Sequence, residues 1–220
     1  MIIKMDDFEL DHIFIRCQNE ASEAQDLRAI GLIEGASRAH PGQGTANRRF
    51  FFDNMMLELL FLDGTVITDA SNSNRLKLDT RLNPQAKDAC PFGLAFRPKL
   101  AETTQKPFAG WSYQPSYLPE PLEIWIAENS NKPSEPLLFY LSFARPKSTN
   151  ENIQTTAFNY ISGVSMTLPL AVKSELFDNL AQIDALRFNY GTHYALDIEF
   201  NHRQCEHQQH FPELALTLYW

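Results

Sequence analysis

The segment Met55–Leu62, MMLELLFL, is apolar on both of its alternating faces except at Glu58. Successive side chains of a strand point to opposite sides, so this strand has to be covered above and below, and the chain must build layers around it. A carboxylate in that setting has to be paired, hydrogen-bonded, metal-bound or protonated, because a bare charge in a low-dielectric interior is strongly unfavourable. Glu58 therefore stands apart from the chain's other acids.

The elements around it recur in one order. Phe8–Cys17, FELDHIFIRC, alternates, which places Phe8, Leu10, His12 and Phe14 on one face and Ile13, Ile15 and Cys17 on the other. Asn19 and Ser22 offer N-caps for a short helix carrying Ala24, Leu27 and Ile30, with Gly31 near its stop. Gly35–Gly44 reads as a strand with the breaker-rich turn HPGQG, Thr45–Asp53 as a strand, and Asp53-Asn54 as the turn before Met55. The order is β, α, β, β, β.

It returns loosely in strands at Cys90–Arg97, Gly110–Tyr117, Leu122–Ala127 and Leu137–Ala144, with a weak helix or turn at Lys99–Gln105. A third run follows at Tyr160–Leu168, a helix capped by Ser174, and strands at Leu186–Tyr190, His193–Asn201 and Glu213–Trp220. The spacing predicts an α+β chain divided into a first βαβββ module (1–64), a polar linker or crossover (65–89), a degenerate second module (90–146) and a βαβββ-like C-terminal segment (147–220). Lys147–Gln154 reads as a second polar connector.

Composition narrows the function classes. Hydrophobic residues are 44% and charged residues 21% of the 220, ordinary for a globular chain. A formal charge of −8 and the absence of a cationic stretch argue against a nucleic-acid partner. No stretch approaches the roughly 18 to 20 apolar residues that cross a bilayer, so no membrane partner is expected. The acidic N-terminus, with Asp6, Asp7, Glu9 and Asp11, lacks the apolar region of a secretory signal, and a cytoplasmic location is expected. Cys17, Cys90 and Cys205 are odd in number and far apart, which fits reduced thiols, Cys17 serving as packing in its apolar strand.

LDHIFI at Leu10–Ile15, HPGQGTANRRFFF at His40–Phe52 and LELLFL at Leu57–Leu62 together resemble the glyoxalase-like branch of the vicinal oxygen chelate superfamily. The likeness covers residues 9–64 well and 90–145 loosely. It implies that βαβββ modules pair into a curved, partly closed mixed sheet with helices outside, extended or capped by the third segment. It implies a cavity for a small-molecule ligand, with His12 and Glu58 as catalytic residues and as ligands of a divalent metal such as Zn, Mn or Fe. His40, Asn47 and Arg48 would bind substrate, and the modules would pair within the chain or across a homodimer.

The second module departs from that pattern. Aligning FGLAFR with DHIFIR sets Gly93 where a second histidine belongs, and LLFYLSF offers Tyr140 and Ser142 where a carboxylate belongs. The remaining ligands would then come from His40, His193 or a symmetry-related chain, or the pocket works without metal, with Glu58 holding the His12 tautomer. His202, Cys205, His207 and His210 have metal-compatible spacing but also suit a solvated hairpin loop. Trp111, Tyr113, Tyr117 and Trp125 either line a pocket or pack between strands. Two functions follow: a metal-assisted lyase, isomerase or dioxygenase on a small oxygenated compound, or a non-catalytic binding or resistance protein on the same scaffold.

Overall fold

A computed structural model describes residues 4–68, 74–145, 154–155 and 157–220. The first part of the chain builds one eight-stranded sheet from β1 (Phe8–Arg16), β2 (Arg38–His40), β3 (Thr45–Phe51), β4 (Met56–Leu62), β5 (Phe92–Pro98), β6 (Gly110–Tyr113), β7 (Ile124–Ala127) and β8 (Leu137–Tyr140). Its order is β2-β3-β4-β1-β5-β8-β7-β6. The helix Ala24–Ala29 carries the crossover from β1 towards β2. In the second module the stretch after β5 forms turns instead of a helix.

The expected curved, partly closed sheet does not form. The order runs from β2 at one edge to β6 at the other, and among the described residues no ladder joins the two. Closure needs edge strands long enough to pair along their length, and β2 has three residues and β6 four. The sheet is open, and its face is spanned by other means, described below.

Nor does the third segment extend or cap that sheet. β9 (Ile161–Pro169), β10 (Leu186–Gly191), β11 (Ala195–Phe200), β12 (Gln208–Phe211) and β13 (Leu216–Tyr219) make a separate five-stranded sheet in the order β10-β9-β11-β13-β12. The helix Glu175–Leu180 links β9 to β10, burying Phe177 and Leu180. The middle of this sheet repeats the middle of the larger one. There, β4 is parallel to β1, β1 antiparallel to β5, and β5 parallel to β8. Here, β10 is parallel to β9, β9 antiparallel to β11, and β11 parallel to β13.

One apolar cluster joins the sheets. Ile13, Ile15, Phe50, Leu57, Leu59, Phe92 and Leu94 pack with Ile161, Val164, Met166, Leu196, Ile198 and Phe200. Full burial of each such side chain contributes about 2 kcal/mol. Asn54 fastens the join: its Nδ2 donates to the Ile161 carbonyl at 2.8 Å, and its Oδ1 accepts from Ile161 N at 3.0 Å. Of the connector expected at Lys147–Gln154 only Gln154 is described, and its side chain bonds both backbone groups of Ile33. The other residues of that connector lie outside the described residues.

The larger sheet's other face is polar at one end and apolar at the other, and a bulge at Asp11 sets it up. Leu10 pairs with Phe96 and His12 with Ala95, so Asp11 is an extra residue in β1. An extra residue reverses the facing of everything beyond it. Phe8 and Leu10 therefore join Ile13 and Ile15 in the inter-sheet core, and Phe14 joins the cluster on the opposite face. The single face read from the alternation of Phe8, Leu10, His12 and Phe14 is split in two.

Candidate functional site

That opposite face carries a cavity of about 180 Å³. The first module supplies its polar wall, with His12, Arg38, His40, Gln43, Asn47, Arg49 and Glu58. The second supplies an apolar wall, with Tyr113, Tyr117, Ile124, Ile126, Leu137 and Phe139.

Glu58 and His12 are both buried, at 5% and 9% exposure, so each needs partners. Asn47 Nδ2 donates to Glu58 Oε1, and Asn47 Oδ1 accepts from Arg38 N at 2.8 Å. Glu58 Oε2 lies 3.5 Å from His12 Nε2. The other ring nitrogen, Nδ1, is 2.7 Å from Asp11 Oδ1, a contact between chain neighbours that the bulge allows. Asp11 is held in turn by Arg97, whose Nη1 reaches its Oδ2 at 3.1 Å while Nε donates to Glu9 at 2.8 Å.

These contacts set the protonation. Burial opposes charge on His12, but the Asp11 hydrogen bond and charge, joined by the charge of Glu58, outweigh it and raise the imidazole above its usual 6.5. Burial likewise pushes Asp11 up, and the bond and charge of His12, with Arg97, bring it net below its usual 3.8. His40 is lowered, mainly by burial, and its Nδ1 is 2.8 Å from Thr45 Oγ1. With Nδ1 on Asp11, the Nε2 of cavity-lining His12 is the ring nitrogen turned towards Glu58.

The cavity is roofed across the open sheet. Tyr113 and Tyr117 hydroxyls donate to Gln43 Oε1 at 3.3 and 2.9 Å, and Ser116 Oγ donates to the Pro41 carbonyl at 2.9 Å. Gly42 takes φ +84° in the turn so clasped. Leu76 and Leu78 add to the lining. Their segment is anchored by buried Arg81, which donates to the carbonyls of Leu76, Ser130, Lys132, Pro133 and Glu135.

Of the predicted site residues, His12, His40, Asn47 and Glu58 meet in this cavity. Arg48 does not. It pairs with Glu34 through Nε at 2.6 Å and Nη2 at 2.5 Å, and Nη1 donates to the Ala21 carbonyl. Its neighbour Arg49 lines the cavity. Tyr113 and Tyr117 line it too, whereas Trp111 donates to Ser130 Oγ and Trp125 to the Phe108 carbonyl. Arg38, Gln43 and Phe139 were not read from sequence, and neither was the Asp11 contact to His12.

The metal centre that the resemblance implied is not assembled. Among the described residues no group of three or more His, Cys, Asp or Glu is placed to hold an ion, the His202–His210 segment included. Glu58 has one oxygen engaged by Asn47. The second module cannot complete the set. A Cβ on Gly93 would lie 1.9 Å from the Phe14 ring. Phe14 pairs with Glu58 across β1 and β4, and Ala95 with Phe139 across β5 and β8, so the counterpart of the carboxylate is Phe139, neither Tyr140 nor Ser142. His193 sits in the second sheet's β10–β11 connection, beside Thr192. Cys17 is buried and donates to the Ile15 carbonyl, with burial foremost in raising its thiol pKa.

No protein-family model and no curated protein matches the chain. The glyoxalase-type metal lyase or dioxygenase that the resemblance implied thus finds no support in either the donor set or the comparisons. Solved structures do match. A hypothetical protein from Staphylococcus aureus is similar over 96% of this chain and 98% of its own, with TM-score 0.59 and 12% identity. A hypothetical protein from Bacillus halodurans aligns with 64% of this chain and 99% of its own, with TM-score 0.40 and 11% identity. At 12% identity the first likeness shows the fold: a mixed α+β chain with two sheets. Among the described residues no helix is long and apolar enough to cross a membrane.

Proposed function

We propose that the chain is a non-catalytic binding protein for a small organic molecule. The observation that carries this reading is the division of the cavity into a hydrogen-bonding wall and an apolar wall under a tyrosine roof. Convergent polar groups on an otherwise apolar concave lining are the usual make-up of a ligand pocket. The replacement of the second carboxylate position by Phe139 favours binding over metal chemistry, since it exchanges a ligand for apolar contact area.

Native mass spectrometry of the purified chain, followed by a thermal-shift screen of small organic molecules, tests it. A ligand at 100 times its Kd stabilises the fold by about 2.7 kcal/mol. The wild type is expected to retain a small molecule or to respond to members of the screen, and Phe139→Trp, which narrows the cavity at its apolar wall, to respond less. Equal responses in the two proteins would place binding elsewhere and overturn the reading.

A further inference from the structure

We propose that Arg38 and Arg49 form a carboxylate subsite at the outer part of this cavity, and that its ligand is an organic acid with a flat apolar body. This rests on the binding reading above and names the ligand class for it.

Both arginines line the cavity, Arg38 from β2 and Arg49 from β3. Arg38 stands opposite Asn47, and Arg49 lies two residues beyond Asn47 on the same face. Diagonal neighbours of an antiparallel pair are about 7–8 Å apart, which lets one oxyanion meet two guanidinium groups. The two also sense each other. Burial lowers the Arg49 pKa, the charge of Glu58 opposes that, and the charge of Arg38 adds to it.

The chain's other buried or half-buried arginines near this sheet are already provided for. Arg48 is paired with Glu34, Arg97 with Glu9 and Asp11, and Arg81 with backbone carbonyls. Arg38 and Arg49 are not in an ion pair among the described residues. Arg49 donates from Nε to the Ala36 carbonyl at 2.7 Å and lies 5.0 Å from the Phe51 ring centre. Arg38 lies 5.5 Å from the Tyr117 ring centre. Among the described residues these contacts engage no terminal guanidinium nitrogen, which leaves those groups to an incoming acceptor. Two cations on one face, neither in an ion pair among the described residues, suit the fork geometry that carboxylates bind.

Glu58 gives the ligand a direction. It pairs across from Arg49 on the ladder, yet its oxygens go to Asn47 and towards His12. A second negative charge is therefore disfavoured at the deep end, and the acid group belongs at the outer end, where Arg38 is exposed. The body then lies against aromatic faces. Phe14 and Phe139 are stacked at 6.4 Å with 25° between planes, and His40 and Tyr117 meet at 4.9 Å. A cationic ligand would meet two like charges on its way in.

Calorimetric titration of the full chain with 2-naphthoate and with 2-naphthylmethanol, its neutral counterpart, separates the two claims. The wild type is expected to bind the acid at least about tenfold more tightly, as charge-assisted bonds to two guanidiniums require, and added salt is expected to weaken the acid alone. Arg38→Gln/Arg49→Gln is expected to abolish that preference, and Phe139→Ala to weaken both probes alike. Should the double variant fail to fold by circular dichroism, Arg38→Gln alone, at an exposed position, is expected to reduce the preference at least about threefold. Equal binding of acid and alcohol by the wild type, or a preference that survives loss of the arginines, overturns the carboxylate subsite and leaves the pocket standing. Absence of binding for both probes overturns the pocket reading as well.

Discussion

Asp11 decides how His12 behaves, and a single substitution isolates that influence. A histidine whose folded pKa is raised adds stability that is full below its unfolded pKa, about 6.5, and is lost as pH rises through the folded value. An aspartate whose folded pKa is lowered adds stability present above its unfolded value, about 3.9, and lost as pH falls through the folded one. The Asp11–His12 pair is thus at full strength between about pH 4 and 6.5. Asp11→Asn is expected to bring the His12 titration below its usual 6.5, because burial then prevails. The alkaline loss of stability would go with it. Imidazole NMR titrations and melting temperatures across pH 5 to 9 check this, and a wild-type His12 that titrates below 6.5 would refute it. At this scale the sequence was partly legible. Two polar residues misplaced on apolar strands pointed to His12 and Glu58, and both are in the cavity. Period-two alternation also had the means to choose Arg49 over Arg48, since Asn47 and Arg49 share a face while Arg48 lies on the other. Pairing Asn47 with Arg48 as substrate contacts ignored that rule.

Among the elements, β1 shows what alternation conceals. FELDHIFI carries no glycine or proline to mark a bulge, and its apolar phase slips from Phe8 and Leu10 to Ile13 and Ile15 without showing that Asp11 is the extra residue. The inter-strand register, which no local pattern encodes, makes it the extra one. Deleting Asp11 removes the extra residue and leaves Leu10 two places before Ile13, so Phe8 and Leu10 are expected to keep their core facing and the variant to be about as stable as Asp11→Ala. Chemical denaturation measures it, and a deletion variant less stable than Asp11→Ala by about 3 kcal/mol or more, the loss of two large core side chains, would refute the bulge's role. The Leu76–Leu82 segment was hidden differently. It falls in a stretch read as a polar linker, and its Arg81 gains its place only when the Ser130–Glu135 loop surrounds it with carbonyls.

For the whole molecule, the recurring runs of strands were visible in the order of elements, but how they assemble was not. Strand pairing between distant segments leaves no periodic trace, so the third run's choice of its own sheet could not be read from its alternation. That sheet closes the core over Ile13, Phe50 and Leu57. β13 lies between β11 and β12, and Leu216 and Leu218 are fully buried, so removing Leu214–Trp220 exposes ladder groups and core together. The truncated chain is expected to melt at least about 10 °C lower or to aggregate. Unchanged solubility and melting temperature would show that the second sheet is dispensable.

The two walls of the cavity come from separate stretches of chain, the charged groups from β1 to β4 and the greasy surface from β5 to β8. On the binding reading proposed above, recognition of a head group and accommodation of a body are written in different parts of the sequence. Changes confined to positions such as Ile124, Leu137 and Phe139 resize the compartment while the clamp at its rim stays as it is. Such a layout suits a lineage that adapts to new molecules sharing one chemical handle.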